Sequence, residues 1–172
     1  FTVAGTDRTI SILELVKRKP GVLDVTHVTE VIPSAFPNGC HVAEVEIDPD
    51  TGRVEVVRYS SVNDFGTVLN PLIVEGQIHG GVVQGVGQVF GEKVVYDADT
   101  GQMLTASFMD YVMPRAGLLR DIGMQDHPVP SKINSLGAKG VGESGCTASI
   151  PALTNAVLDA LLKLRQVCCD PR

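Results

Sequence analysis

One carboxylate in this chain lies on a backbone that carries few side chains. Three of the seven residues from Gly137 to Glu143 are glycine, so the main chain can approach a ligand closely and present its N–H groups. Glu143 has apolar neighbours and few charges nearby, which makes it a candidate general base. An ordinary glycine-rich turn with a solvated glutamate, or a charge at a helix N-terminus, gives the same pattern. This stretch alone leaves the alternatives open.

A second glycine-rich stretch, Glu75–Gln88, holds five glycines in fourteen residues. Within a helix each glycine costs about 0.8–1 kcal/mol relative to alanine, so close packing or access for a ligand must offset the loss. A dinucleotide-binding loop is rejected, because Phe90 stands where its third small residue belongs and no strand precedes it. His79 has no second ligand four residues on and is expected to be packed or at the surface.

The elements that position these stretches alternate between strands and helices. The spacing over Thr9–Lys17 predicts a short helix with Thr9 as its cap. Gly39–Ile47 and Val54–Tyr59, joined by turn residues 48–52, predict a β-hairpin. Glu92–Tyr96 and residues 102–108, joined by a similar turn, predict a second one.

Two longer helices follow from the same reasoning. Asn70 and Pro71 supply a cap and a first-turn proline for a helix that runs toward Phe90. Apolar residues at three- and four-residue intervals predict a final helix from about Cys146 to Gln166. Residues 117–135 are expected to be irregular. The fold class is therefore α+β, with antiparallel hairpins packed on helices.

Composition narrows the classes of function. The 172 residues suffice for one domain with a buried core, and the net charge of −6 argues against a nucleic-acid or anionic-membrane surface. No apolar run reaches the roughly 18 residues of a membrane-spanning helix, so no span is expected. The four cysteines (Cys40, Cys146, Cys168 and Cys169) lack the spacing of metal ligands or of a disulfide framework. They predict free thiols in a reducing compartment, the cytoplasm.

Several motifs, taken in order, resemble a known family. Gly76–Gly81, Gln84–Gln88, Asp110–Pro114 and Lys139–Glu143 resemble the xanthine dehydrogenase family of molybdenum hydroxylases, in a form close to carbon monoxide dehydrogenase. The resemblance is to the C-terminal part of the large, molybdopterin-binding subunit and covers nearly the whole chain. It implies that residues 1–172 are the C-terminal portion of a molybdopterin-binding domain. The other part of the cofactor cradle would precede Phe1.

The resemblance also implies roles for individual residues. Glu143 would be the general base next to molybdenum, accepting a proton while an electron-poor carbon is hydroxylated. Gln77 and the backbone from Lys139 through Gly140 and Val141 to Gly142 would bind the cofactor. Because the pterin dithiolene holds the metal, no protein ligand to the metal is expected. We also expect the pKa of Glu143 to be raised toward ~6–7 by a dry site.

Cofactors and partners follow from the same resemblance. The cofactor would be molybdopterin, as such or as its cytosine dinucleotide, with iron–sulfur clusters and FAD on other domains or subunits. The partners would be the remainder of the large subunit, those iron–sulfur and flavin parts, a small-molecule substrate and a second copy of the chain. N-heterocycles, aldehydes and CO remain open as substrates, and the chain alone is expected to be inactive. The alternatives are a non-catalytic module that binds pterin or a partner, and an α+β domain whose glycines serve packing alone.

Overall fold

The structure of the chain is a computed structural model that describes residues 1–28, 33–119 and 121–169. It forms two compact units, residues 1–32 and residues 33–172. The first unit contains helix α1, Ile12–Arg18. The predicted helix is confirmed, but its cap is Ser11, whose Oγ accepts a hydrogen bond from the Glu14 N–H at 3.1 Å. Thr9 is not the cap because it pairs with Thr2 in a β-bridge.

The second unit is built on a three-stranded sheet in the order β1-β2-β3. Strands β1 (Asn38–Ile47) and β2 (Val54–Asp64) form the predicted antiparallel hairpin, with an irregularity in register between Glu44 and Val45. Asp48 Oδ1 accepts hydrogen bonds from two N–H groups of the intervening turn, as the turn sequence predicts. This hairpin is confirmed.

Strand β3 (Ile122–Asp126) corrects the prediction of irregular structure over residues 117–135. It pairs in parallel with the second half of β2, from Tyr59 to Asn63. The sheet is therefore mixed rather than purely antiparallel. Five residues with two inward-facing apolar side chains give too short an alternation to identify a strand without its partner.

The second predicted hairpin is only partly correct. Its turn forms, with Asp97 Oδ1 accepting hydrogen bonds from the Thr100 N–H and hydroxyl. The flanking segments meet in one β-bridge, Tyr96 with Met103, and form no continuous strands. Val94 and Leu104 are about half exposed. Without a packed face, a lone two-stranded ribbon is marginal in water.

Helices α2 (Pro71–Phe90) and α3 (Ser144–Cys169) complete this unit, and both are confirmed. Asn70 caps α2 through its side-chain oxygen, which accepts a hydrogen bond from the Ile73 N–H at 3.3 Å. The core residues of α2 recur every four residues along the helix. They pack in the core with residues from β2, from the segment that follows β2, and from α3. The buried apolar residues are Tyr59, Phe65, Val74, Ile78, Val82, Val86 and Leu153.

The glycines of α2 divide into two groups. A Cβ on Gly85 would lie 1.8 Å from Ser149 Oγ, and one on Gly81 would lie 2.9 Å from the Cys146 nitrogen, so both glycines are needed where α2 crosses α3. Gly76 and Gly80 have no atom within 4 Å of such a Cβ. Close helix packing thus explains only part of the glycine content.

Helix α3 is long and apolar. Ser144–Leu164, with a mean hydropathy of 1.2, is sufficient in length and composition to cross a membrane. This finding corrects the expectation that no segment reaches that length. The helix packs against α2 and β1, and core helices of soluble proteins have the same composition, so the segment is only weak evidence for a membrane span.

The two glycine groups predict opposite effects of alanine. Gly85→Ala should destabilise the protein by about 1–3 kcal/mol, because the added methyl group overlaps Ser149. Gly80→Ala, the matched control in the same helix, should stabilise it by up to about 1 kcal/mol through helix propensity. Denaturant unfolding of the intact protein measures both. Equal effects would show that the α2–α3 contact does not require a glycine.

Candidate active site

The end of β2 carries a carboxylate that joins three segments. Asp64 Oδ1 accepts hydrogen bonds from the N–H groups of Gly66 and Val129, each at 2.9 Å. Its Oδ2 lies 2.5 Å from Lys139 Nζ. Asp64 is only 9 % exposed. The Lys139 ammonium, followed by the Val129 N–H, holds the pKa of this carboxyl well below its usual range.

Backbone contacts fix the same junction. The Lys139 N–H donates to the Phe65 carbonyl and the Thr67 N–H to the Gly137 carbonyl, both at 2.9 Å. Gly66 has a φ of +61°, and a Cβ there would lie 2.1 Å from the Gly137 carbonyl oxygen. Only glycine fits this approach. The first half of the Gly137–Glu143 stretch is therefore joined to the residues that follow β2.

The second half of the Gly137–Glu143 stretch is held by hydrogen bonds at its C-terminal end. The Ser144 N–H donates to the Val141 carbonyl at 3.1 Å, and the Glu143 carbonyl accepts from both the N–H and the hydroxyl of Thr147 at 3.0 Å. Val141 packs against the core. Glu143 thus immediately precedes α3, with its backbone fixed and its side chain exposed. The dry surroundings expected for this carboxylate are not supplied by the described residues.

A cleft of about 600 Å³, which we call the Glu143 cleft, opens beside this carboxylate. Residues 35–39, 41, 63, 140, 142–144, 147 and 148 line it. Glu143 and His41 are the ionisable side chains among them. Among the residues that the structure describes, neither lysine nor arginine is part of the lining.

Sequence reasoning missed His41. Its Nδ1 lies 2.7 Å from the Tyr59 hydroxyl and its Nε2 lies 3.2 Å from Asn63 Oδ1. Because the Asn63 amide nitrogen donates to Ser61 Oγ, Asn63 Oδ1 is the acceptor and His41 Nε2 carries the proton. His41 Nδ1 then accepts from Tyr59. Burial lowers the pKa of His41, an effect partly opposed by the hydrogen bond to Asn63.

A signal for His41 was present in the sequence. His41 shares the inward face of β1 with Ala43, Val45 and Ile47. A polar ring on an otherwise apolar face indicates a hydrogen-bonded partner inside the fold. The partner itself, Tyr59, is fully buried. Only the register of the hairpin, which pairs His41 with Ser61, brings the two rings together.

The predicted site residues lie on two sides of the loop. Gly140, Gly142 and Glu143 line the Glu143 cleft. A smaller pocket of about 260 Å³, the Gln77 pocket, is lined by residues 65, 67–70, 73, 74, 77, 138, 139 and 141. Gln77, Lys139 and Val141 belong to that second set, so Gln77 does not line the cleft that holds Glu143. The Lys139 ammonium is paired with Asp64.

The Glu143 cleft has features of a site for a polar organic cofactor. Ser144 Oγ is buried and has no hydrogen-bond partner among the described residues, although Ser144 lines the cleft. Gly140 and Gly142 leave open space where other residues would place a Cβ. A bound group can therefore approach the backbone at these two glycines. Within the described residues, no cluster of three or more His, Cys, Asp or Glu side chains could hold a metal.

A match to a known family identifies the domain that contains this cleft. The sequence profile of the family described as "molybdopterin cofactor-binding domain" matches residues 7–119, and the chain belongs to this family. The matched residues end before the loop that carries Glu143. Membership therefore does not depend on the role assigned to that residue.

Individual proteins agree with this family. The chain is 43 % identical over 143 residues to the nicotine 6-hydroxylase large subunit of Paenarthrobacter nicotinovorans, covering 83 % of this chain and 17 % of the relative. It is 40 % identical over 143 residues to the carbon monoxide dehydrogenase large chain of Hydrogenophaga pseudoflava, with the same coverage. A crystal structure of a Cu,Mo-CO dehydrogenase superposes with a TM-score of 0.70 at 38 % identity, over 74 % of this chain and 16 % of that one. The chain thus spans about a sixth of the length of these relatives.

Two ionisable groups predict how stability depends on pH. The folded-state pKa of Asp64 is depressed, so its contribution is present above the ordinary value of 3.8 and is lost as pH falls below it. His41 is also depressed, and its neutral ring contributes above 6.5, with loss as pH falls below that value. Acidification should therefore lower the free energy of unfolding in two stages, His41 first.

Thermal unfolding of the intact protein between pH 8 and pH 3 measures both stages. Asp64→Asn should reduce the stage below about pH 4 and leave the upper one, whereas His41→Gln should do the reverse. An unchanged lower stage in Asp64→Asn would contradict the assignment to Asp64.

Proposed function

We propose that this chain is the C-terminal portion of the molybdopterin-binding domain of a molybdenum hydroxylase, and that Glu143 is its general base. The reaction is the hydroxylation of an electron-poor carbon in an N-heterocycle, an aldehyde or a CO-type substrate. The observation that carries the proposal is the Glu143 carboxylate, held between the Asp64–Lys139 junction and α3 at the edge of an open cleft. Family membership supports the cofactor, and the relatives named for nicotine and carbon monoxide support the substrate range.

The residues of the cleft suit the binding of such a cofactor. The backbone at Gly140 and Gly142 is accessible, and the Ser144 hydroxyl offers a donor and an acceptor. On the other side of the loop, Gln77 and Val141 line the pocket next to it. When bound, molybdopterin supplies the two-electron redox chemistry that the side chains of this chain lack.

Glu143 would move the proton in this reaction. An unprotonated carboxylate accepts a proton at one of its oxygens while the carbon–oxygen bond forms, and must be held within hydrogen-bond reach of that proton. The two hydrogen bonds to the Glu143 carbonyl fix its backbone for this purpose. In the whole enzyme, segments that cover the cleft would exclude water from the exposed carboxylate.

The other side chains of the Glu143 cleft would leave the transfer of the proton to Glu143 alone. His41, the other ionisable side chain of the cleft, donates from one ring nitrogen and accepts at the other, both within the protein. A ring held in this way has no free nitrogen with which to exchange protons.

The electrons would leave through iron–sulfur and flavin parts on other domains or subunits.

A non-catalytic module is the second candidate, and one observation favours it. Leu69, Leu72 and Ile73 are each more than 60 % exposed beside the Gln77 pocket, a surface typical of contact with another polypeptide. The enzyme and the non-catalytic module differ in the cofactor content and the activity expected of the intact protein that carries this chain. Molybdenum and pterin in that protein, with substrate turnover, would support the enzyme; their absence would favour the module.

Substitution of the proposed base gives a direct test. Glu143→Gln keeps the shape of the side chain and removes the proton acceptor, so kcat should fall roughly 10²–10⁴-fold. Molybdenum and pterin content should stay unchanged, since the proposed cofactor contacts come from the loop backbone, the Ser144 hydroxyl and Gln77, and none comes from the Glu143 side chain. Steady-state kinetics, corrected for molybdenum, measures the loss.

The matched control is Glu55→Gln, which neutralises an exposed glutamate of the hairpin without touching the cleft. It should turn over like the wild type. Normal turnover in Glu143→Gln would end the assignment of Glu143 as the base.

A further inference from the structure

The loop that presents Glu143 has few anchors of its own. Between Lys139 and Glu143 lie only Gly140, Val141 and Gly142. The glycines have no neighbouring atoms where a Cβ would be, and glycine leaves the backbone its greatest freedom. The position of the carboxylate therefore depends on the points where the loop is attached: the Lys139 side, the Val141 side chain in the core, and the start of α3.

The attachment at Lys139 is a largely buried ion pair. Its ammonium and the Asp64 carboxylate are 2.5 Å apart, with side chains only 11 % and 12 % exposed. The carboxylate also receives the Gly66 and Val129 N–H groups. Removing two charges from water is costly, so a buried pair of this kind is better explained by the geometry it specifies than by a gain in stability.

We propose that Lys139 and Asp64 are positioning residues for Glu143, and that the Lys139 ammonium acts on Asp64 rather than on the bound cofactor. Because Asp64 joins residues 64–66 and 129 to the loop, the ion pair transmits the position of the sheet to the start of the Glu143 segment. The proposal rests on the proposed function in one respect: it takes Glu143 as the group whose position matters.

A double-mutant cycle in the intact holoenzyme separates this role from a direct effect on the cofactor. Lys139→Met and Asp64→Asn should each lower kcat about 10–100-fold, as expected when a reacting group is displaced by up to about 1 Å. KM should change little. If the two residues act as one unit, the double variant should lose no more than the worse single variant.

Two further readouts do not depend on turnover. Amide hydrogen exchange over residues 139–143 should quicken in each single variant, because the loop loses an attachment. The midpoint potential of the bound molybdenum should stay unchanged if the ammonium acts on Asp64, with which it is paired, and not on the cofactor. Lys139→Arg, which restores the charge, should recover most of the kcat and the slow exchange.

Lys163→Met is the matched control, because Lys163 forms an ion pair with Asp159 at 2.6 Å that is 72 % and 63 % exposed. It should change neither kcat nor exchange over residues 139–143. If Lys139→Met does not give folded protein, Lys139→Gln replaces it, because the glutamine amide can still donate to Asp64. Its kcat and its amide exchange over residues 139–143 should lie between those of Lys139→Arg and those expected of Lys139→Met.

Additive losses in the double variant, or a shifted potential with unchanged exchange, would overturn the proposal and assign Lys139 to the cofactor. These outcomes are distinct from a failure of the proposed function. If Glu143 is not the base, Glu143→Gln keeps its turnover while the exchange result for Lys139→Met still stands. If the ion pair does not position the loop, exchange is unchanged while Glu143→Gln still loses turnover.

Discussion

A single buried carboxylate joins parts of this unit that lie up to 75 residues apart in sequence. Asp64 is the last residue of β2, yet its two oxygens engage backbone or side-chain donors from residues 66, 129 and 139. Each of these contacts is a hydrogen bond to a charged acceptor, which is shorter and stronger than one between neutral groups. Three donors around one carboxylate also satisfy most of its lone pairs, which makes burial of the charge tolerable. Without this junction the glycine-rich loop would lack its first attachment.

A second constraint is the distance between α2 and α3. Gly81 and Gly85 of α2 lie against Gly145 and Ser149 of α3 so closely that a single methyl group would overlap the partner. This contact fixes the start of α3, and Glu143 immediately precedes it. The Glu143 carboxylate is thus positioned from one side by the Asp64–Lys139 ion pair and from the other by the packing of α3 against α2. The glycines weaken α2 as an isolated helix, but the close contact they permit buries the Val82 and Val86 side chains.

The sequence predicted those parts of the fold whose signals are local. The β1–β2 hairpin has clear alternation and turn chemistry, and α2 has both a cap and a first-turn proline, so both were predicted. Strand β3 was missed because its evidence is the edge of β2, a partner some sixty residues earlier in the chain. The second hairpin was over-predicted for the opposite reason: its turn is strongly encoded, but its flanks have no surface to pack against.

The candidate site was predicted to a similar extent. Glu143 and its glycines were found because their pattern is local and resembles a known family. The division of Gln77 and Glu143 between two pockets could not be read from the sequence, since it depends on how α2 crosses the loop. Asp64 was missed because a lone aspartate at a strand end has no motif; only the fold shows its partner to be Lys139.

The spacing of the Lys139–Glu143 segment follows from these surroundings. Lys139 and Val141 face inward, to Asp64 and to the core, whereas Gly140 and Gly142 face the Glu143 cleft. Such alternation is that of an extended chain, in which successive side chains point to opposite sides. The inward positions need side chains that anchor the backbone, and the outward positions need none, because any Cβ there would narrow the cleft. Lysine, valine and two glycines are therefore what a firmly held loop with an open outer face requires, and the glutamate at its end is the first side chain to reach the cleft.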